Sequence, residues 1–123
     1  MLINWRSASD SEVTPLGFRD LKLGSIVGNP TNGAVTATGS YGLINGGSIR
    51  TPGGRVVSYD PTRPNNWGIA LENYGVAPDV YVENTPDDEL KGFDRELKAA
   101  VDEALRLLKA GKYQYTNPTE VRQ

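Results

Sequence analysis

The sequence predicts a mixed α/β (α+β) fold, on three observations. Residues 94–111 carry the apolar spacing, cap and stop of an amphipathic helix; residues 9–23 carry a second, earlier helical pattern; and short β-branched and aromatic runs punctuated by glycine lie between them. Strands bracketed by an early and a late helix define this class. The 123 residues suit one small domain, with residues 1–112 as its body and 113–123 as a tail.

In chain order, Leu2-Ile3 begins a short apolar strand. Met1 leads into it without a cap, a basic leader or an apolar signal segment, so the chain reads as a soluble piece cut from something longer, with its compartment open. The early helix is expected over residues 9–23, closed by Gly24, with Val13, Gly17 and Leu21 on one face and Leu16 beside them. Pro15 is comfortable only in a first turn, so either the regular helix starts there with Thr14 as its cap or the first turn is irregular. From Leu23 to Ile49 no residue is charged among 27 positions, seven of them glycine. Ile26-Val27, Val35-Thr36-Ala37-Thr38 and Tyr41 to Ile44 read as short buried strands, with Gly33, Gly39, Gly42 and Gly46-Gly47 as turns or points of close approach. Further strands are expected at residues 48–50, 55–59, 67–71 and 80–82, with Thr51-Pro52-Gly53-Gly54 as a turn. In the late helix Asp94 is the N-cap, Leu97, Val101, Ala104, Leu105 and Leu108 form the buried stripe, and Gly111 is the stop. Asp94 with Lys98 and Asp102 with Arg106 are spaced for i, i+4 pairs, and the outer face reads as solvated.

Composition excludes several functions. Thirteen Lys and Arg against fifteen Asp and Glu leave a net charge of −2, which argues against a nucleic-acid clamp, since that needs clustered cations. Tyr113, Tyr115 and Trp67 are scattered without basic neighbours, so a base-stacking platform is unsupported as well. Cysteine is absent, which removes disulfides and thiolate metal sites. No phosphate loop with lysine and no metal-spaced carboxylate and histidine cluster occurs, so neither metal nor cofactor is implied. Histidine is absent too, so the commonest general base must come from elsewhere if catalysis occurs.

Three places could carry chemistry. Ser9 lies in Ser7-Ala8-Ser9-Asp10-Ser11-Glu12, after a strand start and before a helix, where a hydroxyl sits beside exposed backbone N–H groups. Helix capping by Ser9, Asp10 or Ser11 requires the same small polar residues and is the plainer reading. Glu72, after an apolar stretch, is either drawn inward or an ordinary surface charge. Arg50, Arg55 and Arg63 are either a small anion site or, with Asp60, Pro61 and Pro64 among them, solvated loop charge.

Together these stretches resemble the C-terminal half of the catalytic core of the tricorn-type serine peptidases, within the broader family of tail-specific or C-terminal processing peptidases. The likeness covers about residues 2–108. It rests on Asn4-Trp5-Arg6-Ser7-Ala8-Ser9-Asp10-Ser11-Glu12 with Phe18-Arg19-Asp20-Leu21-Lys22-Leu23-Gly24 and Ile26-Val27-Gly28. It rests also on Thr51-Pro52-Gly53-Gly54-Arg55, similar to the family's Thr-Pro-x-Gly-Arg turn, and on Glu72-Asn73-Tyr74-Gly75-Val76-Ala77-Pro78-Asp79.

The resemblance implies a ClpP/crotonase-like β-β-α superhelix lobe in which Ser9 is the nucleophile, the backbone N–H of Asp10 is one oxyanion donor, and Glu72 supports the charge relay through a serine. The histidine and that serine would lie in an upstream segment outside this sequence. Where the tail-specific branch places a lysine, this chain reads Asn32-Gly33-Ala34-Val35, so a serine and lysine dyad is not available. The implied function is the nucleophile-bearing half of a serine endopeptidase, inactive by itself. The rival is a non-catalytic lobe that binds peptide or another subunit. The implied partners are a peptide or unfolded-protein substrate, which could add as a strand beside the uncharged stretch, and the absent N-terminal half. Apolar surface left open by the missing half makes a homo-oligomer a further expectation.

Overall fold

The computed structural model describes residues 1–112; the expected tail at 113–123, with Tyr113 and Tyr115, lies outside the described residues. The elements are β1 (Leu2–Ile3), α1 (Asp10–Asp20), β2 (Val27–Gly28), β3 (Ala37–Gly42), β4 (Ser48–Gly54), β5 (Val57–Tyr59), β6 (Trp67–Ala70), β7 (Val80–Tyr81), α2 (Pro86–Leu90) and α3 (Arg95–Lys109). This is the mixed α+β class that the sequence predicts. A parallel sheet of order β1-β2-β7 is joined by two antiparallel pairs, β3-β4 and β5-β6. Ile3, Leu16, Ile26, Val35, Leu71 and Val76 form the core, with Phe18 and Val56 packed against it.

Helix α1 differs from expectation in three ways. It runs unbroken from Asp10 through Pro15, so the helix does not begin at Pro15. The missing Pro15 N–H costs one hydrogen bond, and the fully buried ring offsets that loss by packing. The inward face is Glu12, Pro15 and Leu16, whereas Val13 and Leu21 are exposed. The stop is Lys22 rather than Gly24. Lys22 takes φ 53, Leu23 N–H donates to the Phe18 carbonyl at 3.0 Å and Lys22 N–H to that of Arg19 at 2.9 Å, a left-handed cap made by a side-chain-bearing residue. Replacing Lys22→Gly is expected to stabilise the chain by roughly 0.5–1 kcal/mol, read as a raised urea midpoint, because glycine tolerates that backbone without a Cβ clash.

The glycine-rich stretch holds only one buried strand, β2. Strand β3 is exposed along its length, and Gly39 and Gly42 lie within it rather than at turns. Its partner β4 includes Thr51-Pro52-Gly53-Gly54, so the expected turn is a strand. Both strands of a two-stranded ribbon are edges, where proline is tolerated, and the register shift beside Ala37 absorbs one extra residue. The reversal comes at residues 43–47, at the Gly46-Gly47 turn the sequence predicts, where Leu43 N–H donates to the Gly47 carbonyl at 2.8 Å and Gly46 takes φ 83. The strand expected to reach Ile44 therefore stops at Gly42. Arg50 donates to the Thr38 hydroxyl at 3.1 Å and Arg63 pairs with Asp60 at 3.1 Å, so each of the two is occupied locally.

Helix α2 was not expected, although Thr85-Pro86-Asp87-Asp88 carries its signal. Thr85 accepts from Asp88 N–H at 3.2 Å, Asp88 accepts from Thr85 N–H at 2.9 Å, and Pro86 opens the first turn. Helix α3 begins and ends as expected: Asp94 accepts from Leu97 N–H at 2.8 Å, and Gly111 takes φ 64 just past the last turn. Its orientation differs. The expected buried stripe is half-open, with Leu97 at 51%, Val101 at 49%, Leu105 at 49% and Leu108 at 58% exposure, and the buried residues are Glu96 and Leu107. The cause is polar. Glu96 accepts from Asn29 Nδ2 at 3.1 Å and Asn4 Nδ2 at 3.3 Å, and Glu103 accepts from the Ser25 hydroxyl at 2.7 Å, which turns that face of the helix onto the body. The charge pairs are also rearranged: Asp94 caps, Lys98 pairs with Asp102 at 2.6 Å, and Arg106 pairs with Glu103 at 2.6 Å. No helix among the described residues is long and apolar enough to cross a membrane.

Candidate active site

The chain leaves β1 through a turn closed by Ser7 N–H on the Asn4 carbonyl at 2.9 Å. Asn29 and Asn32, which follow β2, hold this turn from the side. Trp5 N–H donates to Asn29 Oδ1 at 2.8 Å and Asn32 N–H to the Ser7 carbonyl at 2.9 Å. The strand-to-helix passage is completed at Ser9, whose φ of 57 and ψ of −121 form a sharp elbow. A non-glycine residue there is strained and persists only where its surroundings enforce it.

Ser9 is exposed and is the N-cap of α1, paired with Glu12 in a capping box as the capping reading expects, so the elbow and the cap are one feature. Glu12 N–H donates to the Ser9 carbonyl at 2.8 Å. Of the first-turn amides, Ser11 N–H donates to the Ala8 carbonyl at 3.1 Å and Val13 N–H to that of Ser9 at 3.2 Å. Asp10 N–H has no partner among the described residues, which leaves a donor beside the Ser9 hydroxyl at the positive end of a helix.

Glu72 follows β6 and is drawn partly inward. Its Oε2 accepts from Val35 N–H at 2.9 Å, Thr36 N–H at 2.7 Å and the Thr36 hydroxyl at 2.7 Å. The Thr36 hydroxyl, followed by the two amides, holds its carboxyl below the usual glutamate range, so it is ionised at neutral pH. No described residue donates to Oε1, which keeps acceptor capacity for a further donor. Ser9 and Glu72 meet through one short segment: Ser9 N–H donates to the Ala34 carbonyl at 3.0 Å, and the next two residues hold Glu72.

Sequence reasoning missed Glu12, which is fully buried. It accepts from Ser9 N–H at 3.3 Å, Ala34 N–H at 2.8 Å, Gly33 N–H at 2.7 Å and the Thr31 hydroxyl at 2.6 Å. The signal was available as Ser9-x-x-Glu12, the spacing at which a glutamate reaches back to a helix start. An apolar cavity of about 290 Å³, lined by Met1, Phe18, Leu23, Ala104 and Leu108 among others, includes none of Ser9, Asp10 or Glu72.

The elbow lies within the part of the chain matched by the family model. Residues 1–82 match the model described as Peptidase family S41. The chain belongs to that family. The tricorn protease homolog of Saccharolobus solfataricus is 33% identical over 108 residues, covering 87% of this chain and 10% of that protein. The crystal structure of the tricorn protease superposes with a TM-score of 0.72 at 30% identity, covering 88% of this chain and 10% of that one. The photosystem II D1 C-terminal processing protease superposes with a TM-score of 0.55 at 29% identity over 67% of this chain and 19% of that one. The chain spans about a tenth of the length of the tricorn-type relatives it matches. These likenesses support a tricorn-type member of the S41 peptidases.

Proposed function

We propose that this S41 chain is the nucleophile-bearing part of a serine endopeptidase core. The observation that carries the reading is the strained, exposed Ser9 elbow, followed by an Asp10 N–H that has no partner among the described residues. Ser9 Oγ attacks the carbonyl carbon of an extended peptide while its proton passes to a histidine contributed by another segment, since this chain has none. Asp10 N–H donates to the oxyanion as it forms. The tetrahedral intermediate then collapses, the C–N bond breaks and the histidine returns the proton to the leaving amine. Water releases the acyl group from Ser9 by the same steps in reverse order. Glu72, ionised and open at Oε1, supports the histidine through an intervening serine of that other segment. The exposed β3 edge, starting at Ala37 directly after the residues that touch Ser9 and Glu72, is the surface along which the peptide would extend.

The deciding experiment joins the chain to a histidine-bearing segment of a tricorn relative and follows peptide hydrolysis. Hydrolysis is expected, and Ser9→Ala is expected to lower kcat by about 10³-fold or more. Peptide binding without turnover would replace this reading with that of a binding lobe. For the chain by itself, fluorophosphonate labelling of Ser9 is expected to be slow, because a serine hydroxyl without a base is a poor nucleophile at neutral pH. Rapid labelling would show that the base is already present.

A further inference from the structure

We infer that Glu12 is a positioning residue that sets the Ser9 elbow and, through residues 31–36, fixes its placement relative to Glu72; the inference rests on the reading of Ser9 as nucleophile. Four consecutive amides are shared in pairs by two carboxylates: Gly33 and Ala34 donate to Glu12, and Val35 and Thr36 donate to Glu72. Ser9 N–H is held from both sides, by Glu12 Oε1 at 3.3 Å and by the Ala34 carbonyl at 3.0 Å. The bridging segment has no slack on its other flank. A Cβ on Gly33 would come within 3.0 Å of the Asn73 backbone, and one on Gly75 within 2.6 Å of the Thr31 carbonyl.

Glu12 is an expensive way to cap a helix. A carboxylate with no solvent exposure tolerates its charge only if its lone pairs are filled, and here all four hydrogen bonds come from neutral donors, none from a cation. Ser9 already stands at the N-cap of α1, so capping alone does not call for that cost. What a shorter side chain could not do is reach Ser9, Thr31, Gly33 and Ala34 together. The strained Ser9 backbone needs surroundings that over-determine it, and Glu12 with the Ala34 carbonyl supplies them.

Two measurements test this, each compared with Leu107→Ala, a core truncation on α3 that makes none of these hydrogen bonds. In the full chain, Glu12→Gln is expected to speed amide hydrogen exchange at Ser9, Gly33 and Ala34 by about ten-fold or more beyond the control, and also at Val35 and Thr36, which Glu12 does not touch. Unchanged exchange at Val35 and Thr36 would reduce Glu12 to a local cap and overturn the inference. In the chain joined to the histidine-bearing segment of a tricorn relative, Glu12→Gln is expected to lower kcat about ten-fold or more at unchanged KM, relative to the control at matched Tm. A kcat equal to that of the control would overturn it, while the Ser9→Ala result separately decides whether Ser9 is the nucleophile. If Glu12→Gln does not fold, Thr31→Val replaces it. The same pattern is then expected at smaller size, with Thr31→Ser restoring the parent behaviour; failure of the serine to restore it would count against the clamp.

Discussion

Gly28→Ala is expected to remove most of the chain's stability, by about 3–5 kcal/mol. Gly28 is in the middle strand of the parallel sheet, opposite Ile3 on one side and Tyr81 on the other, with φ +125. A Cβ there would sit 1.8 Å from the Ile3 carbonyl oxygen and 3.0 Å from its carbon. The obstacle is backbone, so it can yield only by parting β1 from β2. That separation would also break the Val27 N–H bond to the Met1 carbonyl at 2.8 Å and displace Asn29, which holds the approach to Ser9. Small domains hold only about 5–15 kcal/mol in all, so urea unfolding followed by tryptophan fluorescence should show a transition at far lower denaturant or none. Gly17→Ala provides the opposite sign in the same assay. Nothing lies within 4 Å of the added methyl in the middle of α1, so roughly 0.5–1 kcal/mol of stabilisation is expected. A Gly28→Ala midpoint equal to that of the parent chain would contradict the sheet pairing itself.

Acid is expected to unfold the chain through the carboxylates that tie α2 and α3 in place. Glu103 is held down to about 2 by the Arg106 guanidinium and then the Ser25 hydroxyl. Asp88 is held well below the usual range by Arg95, which donates to both of its oxygens at 2.8 Å, and then by Thr85. For a carboxylate whose folded pKa is depressed, the unfolded chain takes up the proton first as pH falls. The stabilisation is therefore fully present above the unfolded value near 4.5 and is lost as pH drops toward 2. With no histidine in the chain, the urea midpoint should stay level between about pH 5 and 7 and then decline steeply below pH 4.5. Glu103→Gln should lower the neutral midpoint and flatten part of that acid limb, since the Ser25 tie between α3 and the segment leading into β2 is then no longer charge-assisted. Equal midpoints at pH 3 and pH 7 would refute this account.

Much of the local architecture was legible because its causes are local. Asp94 and Gly111 bound α3 through backbone groups within a few residues of each, and the strand-to-helix setting of Ser9 follows from Leu2-Ile3 on one side and the helical run on the other. The misread elements share a different feature. Thr51-Pro52-Gly53-Gly54 has turn chemistry, but pairing with β3, more than ten residues earlier, extends it. The α3 stripe has the spacing of a buried face, but Asn4 and Asn29 draw Glu96 inward from 92 and 67 residues away. Glu12 is locally one acidic residue in a polar run, and the Thr31, Gly33 and Ala34 donors that fill its lone pairs lie 19, 21 and 22 residues further on.

The amino-acid sequence alone determined the α+β class, the position of the Ser9 elbow, the family resemblance and the absence of any internal histidine. Each of these is written in residue identity or in spacing of a few positions. Only the tertiary structure decided which faces are covered, that the Ser9 backbone is strained, and that Glu12 and Glu72 divide four successive amides between them. The physical reason is one of range. Helix periodicity and capping act between near neighbours, whereas a buried carboxylate is stable only where donors from distant parts of the chain converge on it, and no local pattern records that convergence.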